Sequence, residues 1–271
     1  MKKELLNLLD NEIDPAFRER ARFIFEWIER KKPAYVLDAG CGRGFYVQAL
    51  TSFPFIKTID GFDLNETYLA QAKKRSKDTR VELRVGNIYK LPYKKNSFDL
   101  IICSEVLEHL PNDAKALLAL KSLLKPDGIL LITVPNARFP FLWDPLNWIL
   151  MKVFKTHVNK NIWWLAGIWA DHERLYRIED MKNLMNKSKL YVEELKEVIM
   201  WSWPFAHFML YGIGKNIIER LHVEEFSRFD ARPRLIAKLL SRLFRLPSDL
   251  LDTRLKTKSS MNLLVALRKT D

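Results

Sequence analysis

The densest chemistry in this chain lies in Val36-Leu37-Asp38-Ala39-Gly40-Cys41-Gly42-Arg43-Gly44, where an apolar run meets three glycines at alternate positions. Glycines at that spacing let a backbone turn tightly and approach a ligand within van der Waals contact, and a helix beginning behind them presents unpaired N–H groups. Asp38, at the end of the run, is placed to accept a hydrogen bond from a cationic amine. A second apolar run ends in Gly61-Phe62-Asp63, and an acid there can grip two ribose hydroxyls. The spacing is not the Gly-x-Gly-x-x-Gly of dinucleotide sites, which argues against a pyrophosphate ligand. Further along, Ser104-Glu105-Val106-Leu107-Glu108-His109-Leu110 sets two carboxylates and an imidazole at i, i+3 and i+4. On a helix that spacing puts all three on one face. His109 is then the natural general base, and Glu105, Glu108 and His109 together form a set able to hold a divalent cation that orients and acidifies a phenol or catechol. Trp169-Ala170-Asp171-His172-Glu173-Arg174 brings a second imidazole, His172, which either contacts an acceptor or anchors its own segment. Cys103 is either a nucleophile or a small apolar residue ending a buried strand.

The elements that position these groups alternate. Short apolar runs at Tyr35–Asp38, Lys57–Phe62, Val81–Val85, Phe98–Cys103 and Gly128–Val134 read as strands, with helical stretches at 44–51, 65–77, 105–109 and 112–124 between them. Such a rhythm predicts βαβ units and a parallel sheet buried on both faces. Leu124-Lys125-Pro126-Asp127-Gly128 reads as a turn before the fifth strand. A helix over 178–188, a strand near 190–199 and a last strand at Ser260–Leu267 complete the pattern. Ahead of it, residues 4 to 30 divide into two helices, the first striped by Leu5, Leu8 and Leu9, the second opened by Asp14-Pro15 as N-cap and first-turn proline and stopped by Pro33.

Taken in order, VLDAGCGRG, GFDLN, VGNIYKLPYKKNSFDLIICSEVLEHL and LLKPDGILLITVPN resemble the successive motifs of the class I S-adenosylmethionine-dependent methyltransferases. SEVLEHL looks like the arrangement in the ubiquinone-biosynthesis O-methyltransferases of the type 11 branch. The resemblance implies an α/β, Rossmann-like doubly wound sheet, mostly parallel with a final antiparallel strand, and insertions capping the active site. It implies S-adenosyl-L-methionine as cofactor, with Asp38, Gly40 and Gly42 facing its methionine part. Asp63 would then bind the ribose with Leu64 beside it, Asn87 and Ile88 would sit by the adenine, and Ser104 would line the site. An Asp is commoner than Asn at position 87, but an amide oxygen still accepts from the adenine amino group.

The expected organisation is an N-terminal helical lid at 1–30, a cofactor-binding core at 31–136, an aromatic insertion at 137–177, a core helix and strand at 178–200, a basic helical insertion at 201–258 and the final strand at 259–271. Seven of the eight tryptophans (Trp143, Trp148, Trp163, Trp164, Trp169, Trp201 and Trp203) crowd the first insertion and the start of the second. Between Lys215 and Lys258 stand 11 basic residues, Lys215, Arg220 and Lys256 among them, against 6 acidic ones that include Glu219, Glu224 and Glu225. That surplus contributes much of the formal charge of +12. Trp-rich apolar segments beside a basic module fit either a surface that dips into lipid headgroups or a closed lid over a bulky apolar acceptor. Both readings imply a hydrophobic small-molecule acceptor, for which O-methylation near the membrane surface is the leading expectation. A soluble metabolite such as a sugar fits the same core. RNA fits less well, because aromatics do not interleave with the basic residues as on a base-stacking platform. A cofactor-binding scaffold without activity is the remaining alternative. Two cysteines and an N-terminus whose apolar stretch is broken by Asn7, Asp10 and Glu12 lead to the expectation of a cytoplasmic protein without a signal peptide, peripheral at most to the inner face of the membrane.

Overall fold

The computed structural model describes residues 1–162, 165–214, 227–255 and 257–269. Trp163, Trp164, Lys215, Glu219, Arg220, Glu224, Glu225 and Lys256, singled out in the sequence, lie outside the described residues. Seven strands form one sheet in the order β3-β2-β1-β4-β5-β7-β6. They are β1 (Tyr35–Ala39), β2 (Thr58–Asp63), β3 (Val81–Val85), β4 (Phe98–Ser104), β5 (Leu124–Pro135), β6 (Leu190–Val198) and β7 (Asn262–Lys269). The first five pair in parallel, and β7 runs antiparallel between β5 and β6. This is the doubly wound α/β sheet with an antiparallel end that the resemblance implied.

Strand alternation explains why the central strands read as unbroken apolar runs. Val36, Leu100, Ile102, Leu131 and Leu264 enter one core, under α1 (Lys3–Asn11), α2 (Pro15–Lys31), α3 (Phe45–Leu50) and α4 (Glu66–Arg75). Leu37, Ile101, Cys103, Leu130 and Val265 enter the opposite core, under α5 (Asp113–Leu123) and α7 (Ile178–Ser188). Both faces are dry, so neither residue parity can be polar. A third, smaller core of Phe139, Trp143, Ile168, Leu175, Ile199, Ala206 and Met261 holds the aromatic insertion, which includes α6 (Pro145–Ile149), against the sheet's edge. The last long helix is α8 (Leu235–Leu251). No helix among the described residues is long and apolar enough to cross a membrane.

Local signals act as expected at α2. Asp14 caps it, accepting from the Ala16 N–H at 2.9 Å with Pro15 in the first turn, and Lys32 ends it at φ 46° ahead of Pro33. Two expectations are corrected. The turn at 124–128 is absorbed into β5: Phe98 pairs with Leu124 and Leu100 with Ile129, so Lys125, Pro126, Asp127 and Gly128 bulge out of a continuous pairing. Lys125 is tied back to Asp99 at 2.7 Å, which closes the bulge. The stretch 105–109 is no α-helix either. The Glu105 N–H donates to the Thr133 carbonyl at 2.9 Å, prolonging the β4–β5 pairing by one residue. Glu105 then turns at φ 55°, and only Leu107–His109 coil, as a single 3₁₀ turn.

Candidate active site

The site lies along the C-terminal ends of β1, β2, β4 and β5, where β1 separates strands laid down in opposite directions. Crevices at such a switch point are where open α/β sheets bind ligands. The loop after β1 is fixed by the Gly40 and Cys41 N–H groups, both donating to the Phe62 carbonyl at 2.9 Å. Gly40 stands at φ +78°, and a Cβ there would come within 2.6 Å of the Val106 side chain, so loop and Ser104–Leu110 segment touch. At Gly42 a Cβ would meet nothing within 4 Å, which leaves an open cradle above the turn.

Two acids flank that cradle. Asp38 is 2% exposed and its Oδ2 has no hydrogen-bond partner among the described residues. Burial, with Asp63 adding its charge, pushes the Asp38 carboxyl up to about 8. A buried, unpartnered carboxyl is unfavourable unless a cationic group completes it. Asp63 is held ready by two backbone donors, the Gly42 N–H and the Asn65 N–H, each at 2.8 Å. Beyond it opens a cleft of about 450 Å³ lined by Leu64, Val85, Gly86, Asn87, Lys90 and Leu91. The Asn87 side-chain oxygen already accepts from the Tyr89 N–H at 2.9 Å. Ile88, expected beside the adenine, has its side chain buried in the core below and does not line the cleft. Ser104 pairs with Thr133 at 2.8 Å and Tyr46 at 3.3 Å, at the end of β4.

The three residues expected to share a helix face separate. Glu105 points to Arg20 at 2.6 Å, to Thr133 at 2.9 Å and to Asn262 at 3.1 Å. Its carboxylate is therefore spent on tying α2 and β7 to the end of β4, and it leaves the cation set. The cluster that does assemble is Glu108, His109 and His172, whose ligand atoms lie within 4.8 Å of one another. It forms because the Asp171–Arg174 segment docks on the 3₁₀ turn: the Glu173 and Arg174 N–H groups donate to the Glu108 carbonyl. His109 donates Nδ1–H to the Asp171 carbonyl at 2.8 Å, which leaves Nε2 as the basic nitrogen, 3.8 Å from Glu108. Glu108 is fully buried with both carboxyl oxygens unpartnered, and burial, reinforced by Glu105, holds its pKa well above the usual range. His172 Nδ1 is likewise unpartnered, and burial with His109 nearby pushes its imidazole down to about 4. Orphaned oxygen and nitrogen donors at this spacing fit a divalent cation. Cys103 is fully buried and its thiol is pushed up by burial, the opposite of an activated nucleophile.

Sequence reasoning missed Arg20, Thr133 and Asn262. Arg20 left a signal, because it sits four residues before Ile24 and eight before Ile28, on the apolar stripe of α2, where an unpaired charge would be costly.

Residues 37–132 match the family model for the methyltransferase domain Methyltransf_11. A small RNA 2'-O-methyltransferase of Mus musculus is 31% identical over 139 residues, covering 46% of this chain and 35% of its own length. A ubiquinone biosynthesis O-methyltransferase of Coxiella burnetii is 32% identical over 110 residues, covering 40% of this chain and 46% of its own. This chain thus spans less than half the length of either. A solved S-adenosylmethionine-dependent methyltransferase of Mesorhizobium loti overlays 87% of this chain and 90% of its own at TM-score 0.50 and 16% identity, a likeness of fold. The residues present fit S-adenosylmethionine: the unpartnered Asp38 oxygen suits its ammonium, and the Gly42 cradle, Asp63 and the adjoining cleft suit its nucleoside.

Proposed function

We propose, from the match of residues 37–132 to a methyltransferase domain, that this chain uses S-adenosylmethionine to methylate an oxygen of a lipophilic small molecule, with a divalent cation at Glu108, His109 and His172. The observation that carries the reading is the direct contact between the glycine loop and the Val106 segment, which sets the cofactor cradle beside this cluster. Both curated relatives are named for transfer to oxygen, which supports the acceptor atom. The aromatic core of Phe139, Trp143 and Ile168, with Trp169 packed against it just before His172, supports an apolar acceptor.

When bound, S-adenosylmethionine supplies an electrophilic methyl carbon, and a divalent cation supplies the charge that acidifies an approaching hydroxyl. The chain's own residues do the rest. Asp38 and Asp63 would hold the donor's ammonium and ribose at the C-terminal ends of β1 and β2, and holding the donor in place is most of what an in-line displacement requires. His109 Nε2 has one lone pair. With a cation on the cluster it would be a ligand and the acidified hydroxyl would give its proton to solvent, and without one it takes that proton itself. In either case an oxygen–carbon bond forms as the sulfur–carbon bond breaks. His172, uncharged at neutral pH, keeps a lone pair available. Glu108 balances positive charge gathered there.

A second reading, RNA 2'-hydroxyl methylation, is favoured by the mouse relative's name and the charge of +12. One experiment separates the two. Purified protein, with Asp63→Ala as control, is added with methyl-labelled S-adenosylmethionine to a lysate lacking the protein, and label is partitioned between organic solvent, water and RNA. Label in the organic phase, absent with the variant, is the expected result. Label confined to RNA or water, or no transfer, overturns the lipophilic-acceptor reading.

A further inference from the structure

Helix α8 is built inside out. Its inward side carries Ala237, Ser241 and Ser248, all buried, where it packs on α1 and α2. Six of its large apolar residues face away from the protein, while Leu240, Phe244 and Leu251 are half-buried beside the inward side. Leu235, Ile236, Leu239, Leu243, Leu246 and Leu250 are between 42% and 72% exposed. At 3.6 residues per turn these six share an arc of about 100°, one continuous ridge along a helix about 25 Å long. A water-soluble surface helix carries its apolar stripe toward the core, so this ridge needs a partner.

The charge beside it says which. Lys238, Arg242 and Arg245 follow one border of the ridge. Arg242 is exposed, whereas Lys238 is paired with Asp10 at 2.8 Å and Arg245, mostly buried, with Asp249 at 3.5 Å, so the border's pull on an anion comes from Arg242 and from the net positive charge of the segment. From 227 to 255 the chain carries seven basic and three acidic side chains (Asp230, Asp249 and Asp252). Pairing two copies ridge to ridge would bring two such basic borders together, in a chain already at +12. An anionic lipid surface satisfies ridge and border at once. Indoles frame the helix: Trp203 donates to the Leu243 carbonyl at 2.7 Å and Trp201 to the Leu255 carbonyl at 2.8 Å. Trp203 is itself partly exposed, and amphipathic rings of this kind favour the headgroup layer. With 17 residues and a basic border, α8 suits lying in the interface rather than crossing it.

We infer that the outward face of α8 docks the protein on an anionic membrane surface, its leucine ridge entering the headgroup boundary. This does not rest on the methyl-transfer reading, because docking is measured without cofactor or acceptor. The full chain is floated with vesicles of phosphatidylcholine containing phosphatidylglycerol and with vesicles of phosphatidylcholine alone. Wild type is expected to float with the anionic vesicles and to be released by added salt. Leu239→Glu with Leu243→Glu is expected to lower the partition coefficient at least about tenfold, with circular dichroism unchanged because both positions are exposed. Arg242→Glu should weaken the preference for phosphatidylglycerol. A fluorophore on Leu243→Cys, expected to shift to the blue with anionic vesicles, keeps the test open should the glutamates disturb folding. Equal flotation of wild type and ridge variant, no flotation, or no fluorophore shift overturns the proposal. So does a wild-type dimer that the ridge variant turns into a monomer, which would assign the face to self-association.

Discussion

Asp38 stands where an acid is least welcome. It is buried, one oxygen lacks a partner, and Asp63 faces it across the loop, so its carboxyl titrates at about 8. In the empty protein it is therefore mostly protonated at neutral pH. A ligand bearing an ammonium selects the ionised form and must release a proton on binding. Affinity for S-adenosylhomocysteine is accordingly expected to strengthen as pH rises, by up to about tenfold per unit, and to level off above about 8. Calorimetry in buffers of different ionisation enthalpy reads that proton directly. The stability sign is opposite. A folded pKa raised above the unfolded value gives a contribution that is whole at acid pH and lost as pH climbs toward about 8. Asp38→Asn is thus expected to melt higher than wild type in alkaline buffer while losing the ligand. Pairing a lower melting temperature with loss of binding would instead mark Asp38 as a structural residue.

At the scale of elements, α2 is more than a cover over the first core. Arg20 reaches from it to Glu105 at the end of β4, and Glu105 also receives Thr133 of β5 and Asn262 of β7. One carboxylate thereby locks a helix to three strands just below the active site. Arg20→Met should cost about 2–3 kcal/mol, less than a fully buried pair because the Glu105 side chain is 25% exposed. Arg20→Met with Glu105→Gln should be less destabilised than Arg20→Met alone, since Glu105 no longer keeps a charge without its partner while Asp14, 3.8 Å from Arg20, loses that partner in both, and chemical denaturation of both variants tests the order. The sequence displayed the elements but not this tie. Apolar runs bounded by Gly and Pro placed the strands, and Asp14-Pro15 placed α2, because those signals are local. SEVLEHL misled for a related reason: i, i+3 and i+4 spacing reads as a helix face, but pairing across to Thr133 carries β4 one residue further and turns Glu105 away. His172 entered the cluster through tertiary docking onto the Glu108 carbonyl, which no spacing within 105–109 encodes. The leucines of α8 show helical period plainly, yet period alone does not say which side faces the core.

For the whole molecule, what matters most is where the chain's last strand goes. β7 is last in sequence but lies between β5 and β6, with Leu263, Leu264, Val265, Ala266 and Leu267 at most 1% exposed. The aromatic segment, α7, β6 and α8 all fall between β5 and β7 in the chain, so the insertions ride on a connection that closes only when β7 pairs. Both large cores draw on β7, one through Leu264 and Ala266, the other through Leu263, Val265 and Leu267. Asn262 and Met261 add the Glu105 tie and a place in the aromatic core. A chain ended at Lys258 would expose unpaired edges on both β5 and β6 and leave three cores open. It is expected to be insoluble or molten, without a cooperative melt, even though residues 37–132 and every proposed cofactor contact are intact. A truncated chain that still melted cooperatively and bound S-adenosylhomocysteine would show that β1 to β5 fold as an independent unit, and that β7 secures only the insertions.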